Sequence, residues 1–164
     1  MSIGLWVRGA RPKTLATSIA SVMVGATMAY AHIEQSGTCI AIYPEPASCA
    51  TAREQQTLLM DRFWPVTILC LLVALFLQIA VNYANDYSDG IRGTDAGRDT
   101  DESKSGKPQR LTASGLVPAK HVLFAAMICA AIACICGVVA VVLAQAWWLL
   151  AVGAASLLAG WFYT

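Results

Sequence analysis

Four stretches of this chain carry no Lys, Arg, Asp or Glu: Leu15 to Ile33, Phe63 to Asn85, His121 to Ala146 and Trp147 to Thr164. Each runs to about 18 residues or more, and at roughly 1.5 Å of rise per residue that is enough to cross about 30 Å of hydrocarbon. The pattern predicts an all-α, polytopic membrane protein with about four transmembrane helices, at 14–33, 63–86, 119–143 and 147–164. Pro12 and Pro118 stand where a first helical turn accepts proline, ahead of spans one and three. Only Ala144 to Ala146 separates spans three and four, which predicts an antiparallel hairpin. The helical pattern of span two continues to about Ser88 or Asp89, with Gly90 as its stop. Residues 34–62 mix Gly37, Pro44 and Pro46 with polar side chains and read as a loop with a short helix in its second half.

Charge sets the expected orientation. Lys and Arg number three before span one, two between spans one and two, six between spans two and three, and none between three and four. The positive-inside rule then places the amino terminus and loop 88–118 in the cytoplasm and loop 34–62 outside, in a cell membrane. A hydrophobic fraction of 57% against 13% charged residues fits this picture, and a net charge of +1 gives no basic field for nucleic acid. The first span is expected to be retained rather than cleaved as a signal, because Thr14, Ser18 and Ser21 lie in register with Arg11, a pattern suited to packing on another helix. Cys70, Cys129, Cys134 and Cys136 fall in apolar stretches as small buried residues, whereas Cys39 and Cys49 share the outward loop, where a disulfide is open to them.

Chemistry concentrates at the inner end of span two. On a helix turning about 100° per residue, Gln78, Asn82, Asn85, Asp86 and Asp89 fall within one stripe about 100° wide. An ionisable group facing lipid costs about 2.5–3.5 kcal/mol on insertion scales, so the stripe is expected to line a cavity open to the cytoplasm. Asp86 and Asp89, three residues apart, bring their Cβ atoms to about 5–6 Å and repel by about 3 kcal/mol at an effective dielectric near 20. A divalent cation reverses that sign. Mg2+ suits the all-oxygen set, being held by one or two carboxylates together with a substrate's phosphates. The following loop brings Arg92, Arg98, Lys104, Lys107 and Arg110 among glycines, an arrangement fit for an anion. Together these describe a diphosphate site at a membrane surface. Ser105-Gly106-Lys107-Pro108 lacks the rest of a P-loop, and His32 and His121 have no recognisable partner.

The string Asn85-Asp86-Tyr87-Ser88-Asp89-Gly90-Ile91-Arg92-Gly93-Thr94-Asp95 resembles the first aspartate-rich motif of the UbiA superfamily of intramembrane prenyltransferases, most closely in its menaquinone branch. Two further stretches agree: Arg11-Pro12-Lys13-Thr14-Leu15 before span one and Arg110-Leu111-Thr112-Ala113-Ser114-Gly115-Leu116 before span three. The resemblance implies a bundle of about nine helices around a cavity, of which this chain matches the N-terminal part. It implies that Asn85, Asp86 and Asp89 hold Mg2+ against a polyprenyl diphosphate, with Asp95 near the same metal, and that Asp86 and Asp89 are catalytic. Arg92, Lys104, Lys107 and Arg110 are, with Asn85, the implied diphosphate contacts. The implied acceptor is 1,4-dihydroxy-2-naphthoate and the implied product demethylmenaquinone.

One departure stands out: no acidic residue follows Glu102, so the family's second aspartate-rich motif has no counterpart here. The chain is therefore expected to be inactive by itself. Two other classes compete. Asp86-Tyr87-Ser88-Asp89-Gly90 fits the opening of a CDP-alcohol phosphatidyltransferase motif, but Gly93-Thr94 departs from it and the closing aspartates are missing. The stripe could also serve a non-catalytic membrane protein as interhelical glue. Within the family, other aromatic acceptors remain open.

Overall fold

A computed structural model describes residues 3–37, 46–92, 111, 112, 115 and 117–163. Among these the regular structure is helical: α1 (Ile3–Gly9), α2 (Pro12–Ser36), α3 (Pro46–Arg92), α4 (Ala119–Ala144) and α5 (Leu149–Tyr163). Three of them, α2, α3 and α4, are long and apolar enough to cross a membrane. The fourth expected span is a 15-residue apolar helix, short of the roughly 20 residues that a full crossing takes.

α3 is the hub, packing along α4 on one side and α2 on the other. Its 47 residues reach about 70 Å. The short helix expected in the second half of 34–62 is present from Pro46, not as a separate element but as the start of this continuous helix. Pro46 stands at the very start of the helix, where a missing N–H costs nothing. Pro65 stands inside α3, and membrane helices tolerate proline in their interior. Cys49 is disulfide-bonded, and Cys39 lies outside the described residues. At the other end α3 runs past Gly90 to Arg92, so Gly90 does not stop it.

The arrangement of α3 and α4 is antiparallel, as two polar ties show. Near the start of the crossing, the Arg62 guanidinium donates to the Leu143 carbonyl at 3.4 Å, and near its end the Leu111 N–H donates to Asp86 at 2.8 Å. These anchors stand 24 residues apart on α3, about 36 Å, close to the thickness of a bilayer's apolar core. α4 ends at Gln145, whose left-handed backbone (φ 56°) turns the chain while its amide donates to the Val142 carbonyl at 2.7 Å.

Large apolar side chains such as Met28, Ile68, Phe124, Met127, Ile135 and Leu158 stand exposed along α2, α3, α4 and α5. No residue of α2 is buried. Water would penalise so extended an apolar surface, whereas hydrocarbon does not. The protein is an integral, all-α membrane protein. Its one described core cluster, Ala10, Tyr83, Leu111, Val117, Val122 and Ala126, gathers at the end of the bundle that carries the acidic stripe.

Candidate active site

The α1–α2 corner owes its shape to Arg11-Pro12. A residue before proline is pushed out of the right-handed helical region, and Arg11 takes a left-handed backbone instead (φ 53°, ψ 72°). For a residue with a Cβ this costs about 1–2 kcal/mol. Thr14 offsets it twice over, donating both its N–H and its hydroxyl to the Arg11 carbonyl at 2.9 Å. Ser18 and Ser21, expected on the same packing face, instead turn their hydroxyls back to carbonyls of their own helix.

α3 grips this corner with side chains from the stripe. Asn82, 3% exposed, donates through Nδ2 to the Ala10 carbonyl at 2.8 Å and to Thr14 Oγ1 at 3.0 Å, and its Oδ1 accepts from Gln78 at 3.3 Å. One residue on, the Tyr83 hydroxyl donates to the Trp6 carbonyl at 3.0 Å while the two rings meet edge to face, centroids 5.7 Å apart. Gly9 is buried here because nothing larger fits: a Cβ on it would lie 2.8 Å from Leu111 Cγ.

The chain re-entering before α4 is held to the same turns of α3. Asp86, 2% exposed, accepts the Leu111 N–H, and the Leu111 side chain is fully buried. Gly90 makes room for Thr112, since a Cβ there would fall 2.5 Å from Thr112 Cβ. A close backbone approach, rather than helix termination, is thus what this glycine provides. The three stretches singled out in the sequence, around Arg11, Asp86 and Leu111, meet at one end of the bundle.

This packing bears on one expectation. Among the described residues Asn82 and Asp86 are buried and bond neighbouring backbone, where the stripe is expected to line a cavity. Asn85 and Asp89 are partly buried on the same helix, and Arg92 is exposed at its end. Asp95, Lys104, Lys107 and Arg110 lie outside the described residues, as does Arg98.

Among the described residues no three His, Cys, Asp or Glu side chains gather to hold a metal ion by themselves. The oxygen donors present do fit Mg2+, which needs one or two carboxylates and takes the rest of its shell from water and a substrate's phosphates. A carboxylate has about four lone-pair directions, of which the Leu111 N–H takes up one on Asp86. Sequence reasoning missed the role of backbone: the Ala10 and Trp6 carbonyls and the Leu111 N–H have no signature in side-chain periodicity. Gly9 ahead of the Arg-Pro pair and the apolar Leu111 inside a polar stretch were the available signals.

Comparison with known proteins places this geometry. The chain is 39% identical over 163 residues to a 1,4-dihydroxy-2-naphthoate octaprenyltransferase of Mycobacterium tuberculosis, covering 99% of this chain and 44% of that protein. A Mycobacterium leprae protein of the same name is 35% identical over 164 residues, with the same 99% and 44% coverage. One from Haemophilus influenzae is 29% identical over 117 residues, covering 71% of this chain and 28% of the relative. The chain thus spans less than half the length of these relatives. No solved structure matches. The pattern of the UbiA prenyltransferase family matches residues 57–164, a stretch that holds the acidic turns of α3, the Leu111 re-entry and all of α4, and this chain belongs to that family.

Proposed function

We propose that this chain carries the diphosphate-activating half of an enzyme that transfers a polyprenyl group from polyprenyl diphosphate to 1,4-dihydroxy-2-naphthoate, giving demethylmenaquinone. The observation that carries the reading is the meeting of the three motifs, with Asp86 fixed on the Leu111 backbone between two partly buried oxygen donors, Asn85 and Asp89. Bound Mg2+ would be held by Asn85, Asp86 and Asp89, with Asp95, and would supply the positive charge that draws off diphosphate as the allylic C–O bond breaks. Arg92, Lys104, Lys107 and Arg110 would add cationic hydrogen-bond donors for the same leaving group. The naphthoate ring carbon forms the new C–C bond, and its carboxylate leaves as carbon dioxide. The site faces the cytoplasm in the cell membrane, following the Lys and Arg count. Burial of Asp86 serves this chemistry by holding one carboxylate still against the backbone, so that little reorganisation is needed when charge develops.

The test uses membranes expressing the complete gene, with labelled polyprenyl diphosphate and 1,4-dihydroxy-2-naphthoate. Label should appear in demethylmenaquinone with Mg2+ and vanish on chelation. Consumption of a CDP-linked lipid precursor instead would show the reading to be wrong.

A further inference from the structure

The buried amide of Asn82 does more than decorate the acidic stripe. Its Nδ2 faces two acceptors at once, the Ala10 carbonyl (2.8 Å) and Thr14 Oγ1 (3.0 Å). Thr14 cannot donate back to it, because the Thr14 hydroxyl hydrogen goes to the Arg11 carbonyl at 2.9 Å. The result is a directed chain, Gln78 to Asn82 to Thr14 to Arg11, which fixes two consecutive peptide carbonyls, those of Ala10 and Arg11. The residue between those carbonyls holds a left-handed backbone that L-residues avoid. Strain of this kind persists where its surroundings over-determine it, and it gathers at functional sites. Asn82 itself stands one helical turn before Asp86, so the corner around the strained Arg11 is tied, through the Ala10 carbonyl and Thr14, to the acid-bearing stretch of α3.

We propose that Asn82 is a positioning residue that acts through Arg11, holding this cation in place beside the acidic turn as part of the diphosphate site. The proposal rests on the prenyl-transfer reading above. Asn82 spends both ends of its amide within the protein, so its part is to orient and not to ligate metal. Loss of its donor frees the corner and spreads Arg11 over many orientations, weakening capture of diphosphate while leaving the bond-breaking step in place.

Two readouts on the complete gene product test this. The first is physical: trypsin cleavage after Arg8 and Lys13, the bonds flanking the corner. Cleavage should be slow in wild type and in Thr14→Ser, which keeps the hydroxyl, and about tenfold or more faster in Thr14→Val and Asn82→Ala. The second is kinetic: Asn82→Ala and Thr14→Val should raise KM for polyprenyl diphosphate by about 10-fold, as loss of an orienting partner does, with kcat within about twofold and the Mg2+ midpoint unmoved. Arg11→Ala should raise KM similarly, and Asn82→Ala combined with Arg11→Ala should be no worse than the worse single change. Where Asn82→Ala yields no folded protein, the contrast of Thr14→Val with Thr14→Ser carries the same comparison. Unchanged trypsin rates, multiplying KM effects or a shifted Mg2+ midpoint would each overturn the proposal. Absence of transfer in wild type would instead count against the prenyl-transfer reading.

Discussion

The two ends of α3 are built on different principles. At the end that carries the acids, buried side chains reach across the fold to backbone: Asn82 to Ala10, Tyr83 to Trp6, and Asp86 from Leu111, around the described core cluster that holds Ala10, Tyr83 and Leu111. At the opposite end the ties are exposed and longer, Arg62 to Leu143 at 3.4 Å and Gln56 to the Glu34 carbonyl at 3.3 Å. There α2 and α3 leave an open groove of about 460 Å³ lined by Gly25, Ala26, Ala29, Val66 and Cys70 among others, and Tyr30, Phe63 and Trp64 meet edge to face. A helix pair in lipid gains nothing from hiding apolar surface, so close packing and hydrogen bonds are what define a fixed geometry. This protein concentrates both where the acids are.

The contrast can be broken most severely at the acids. Asp86→Asn and Asp89→Asn in the complete gene product should each lower transfer by about 100-fold or more, measured in membranes with equal amounts of inserted protein. Asp86→Asn should also perturb the fold more than Asp89→Asn, since it weakens a buried acceptor for the Leu111 N–H, at a cost of about 1–3 kcal/mol in denaturation. Next comes packing: Leu111→Ala should destabilise by about 2–5 kcal/mol, while Leu158→Ala, on the exposed face of α5, should stay within about 0.5 kcal/mol. Gly90→Ala must push Thr112 aside and should cost about 1–3 kcal/mol, whereas Gly153→Ala, with open space around it, should be neutral or slightly stabilising. The smallest effect belongs to the Arg62 tie. Arg62→Ala should change thermal stability by no more than about 1 kcal/mol, because an exposed hydrogen bond is readily replaced. A loss there as large as those at the acid-bearing end would erase the distinction.

Much of this was legible in the sequence where chemistry and length coincide. Charge-free stretches locate α2, α4 and the membrane part of α3, since hydrocarbon tolerates few other compositions. The stripe on α3 followed from helical periodicity. What periodicity does not encode is the partner. Nothing in the spacing of Asn82 and Asp86 indicates that they bond backbone 72 and 25 residues away, so a cavity lining was the natural expectation and burial the outcome. α1 escaped notice because seven residues are too few for a periodic signal. Over residues 46–62 the sequence predicts only a short helix, because polar and charged side chains set them apart from the charge-free run, although proline at the first helical position is no obstacle to one continuous helix.

The most direct test of the account is the affinity of the complete gene product for a non-hydrolysable polyprenyl diphosphate analogue, titrated calorimetrically with Mg2+ and with chelator. The account predicts binding that weakens at least about tenfold without the metal and is lost in Asp86→Asn. Equal affinity with and without Mg2+, or in wild type and Asp86→Asn alike, would contradict it.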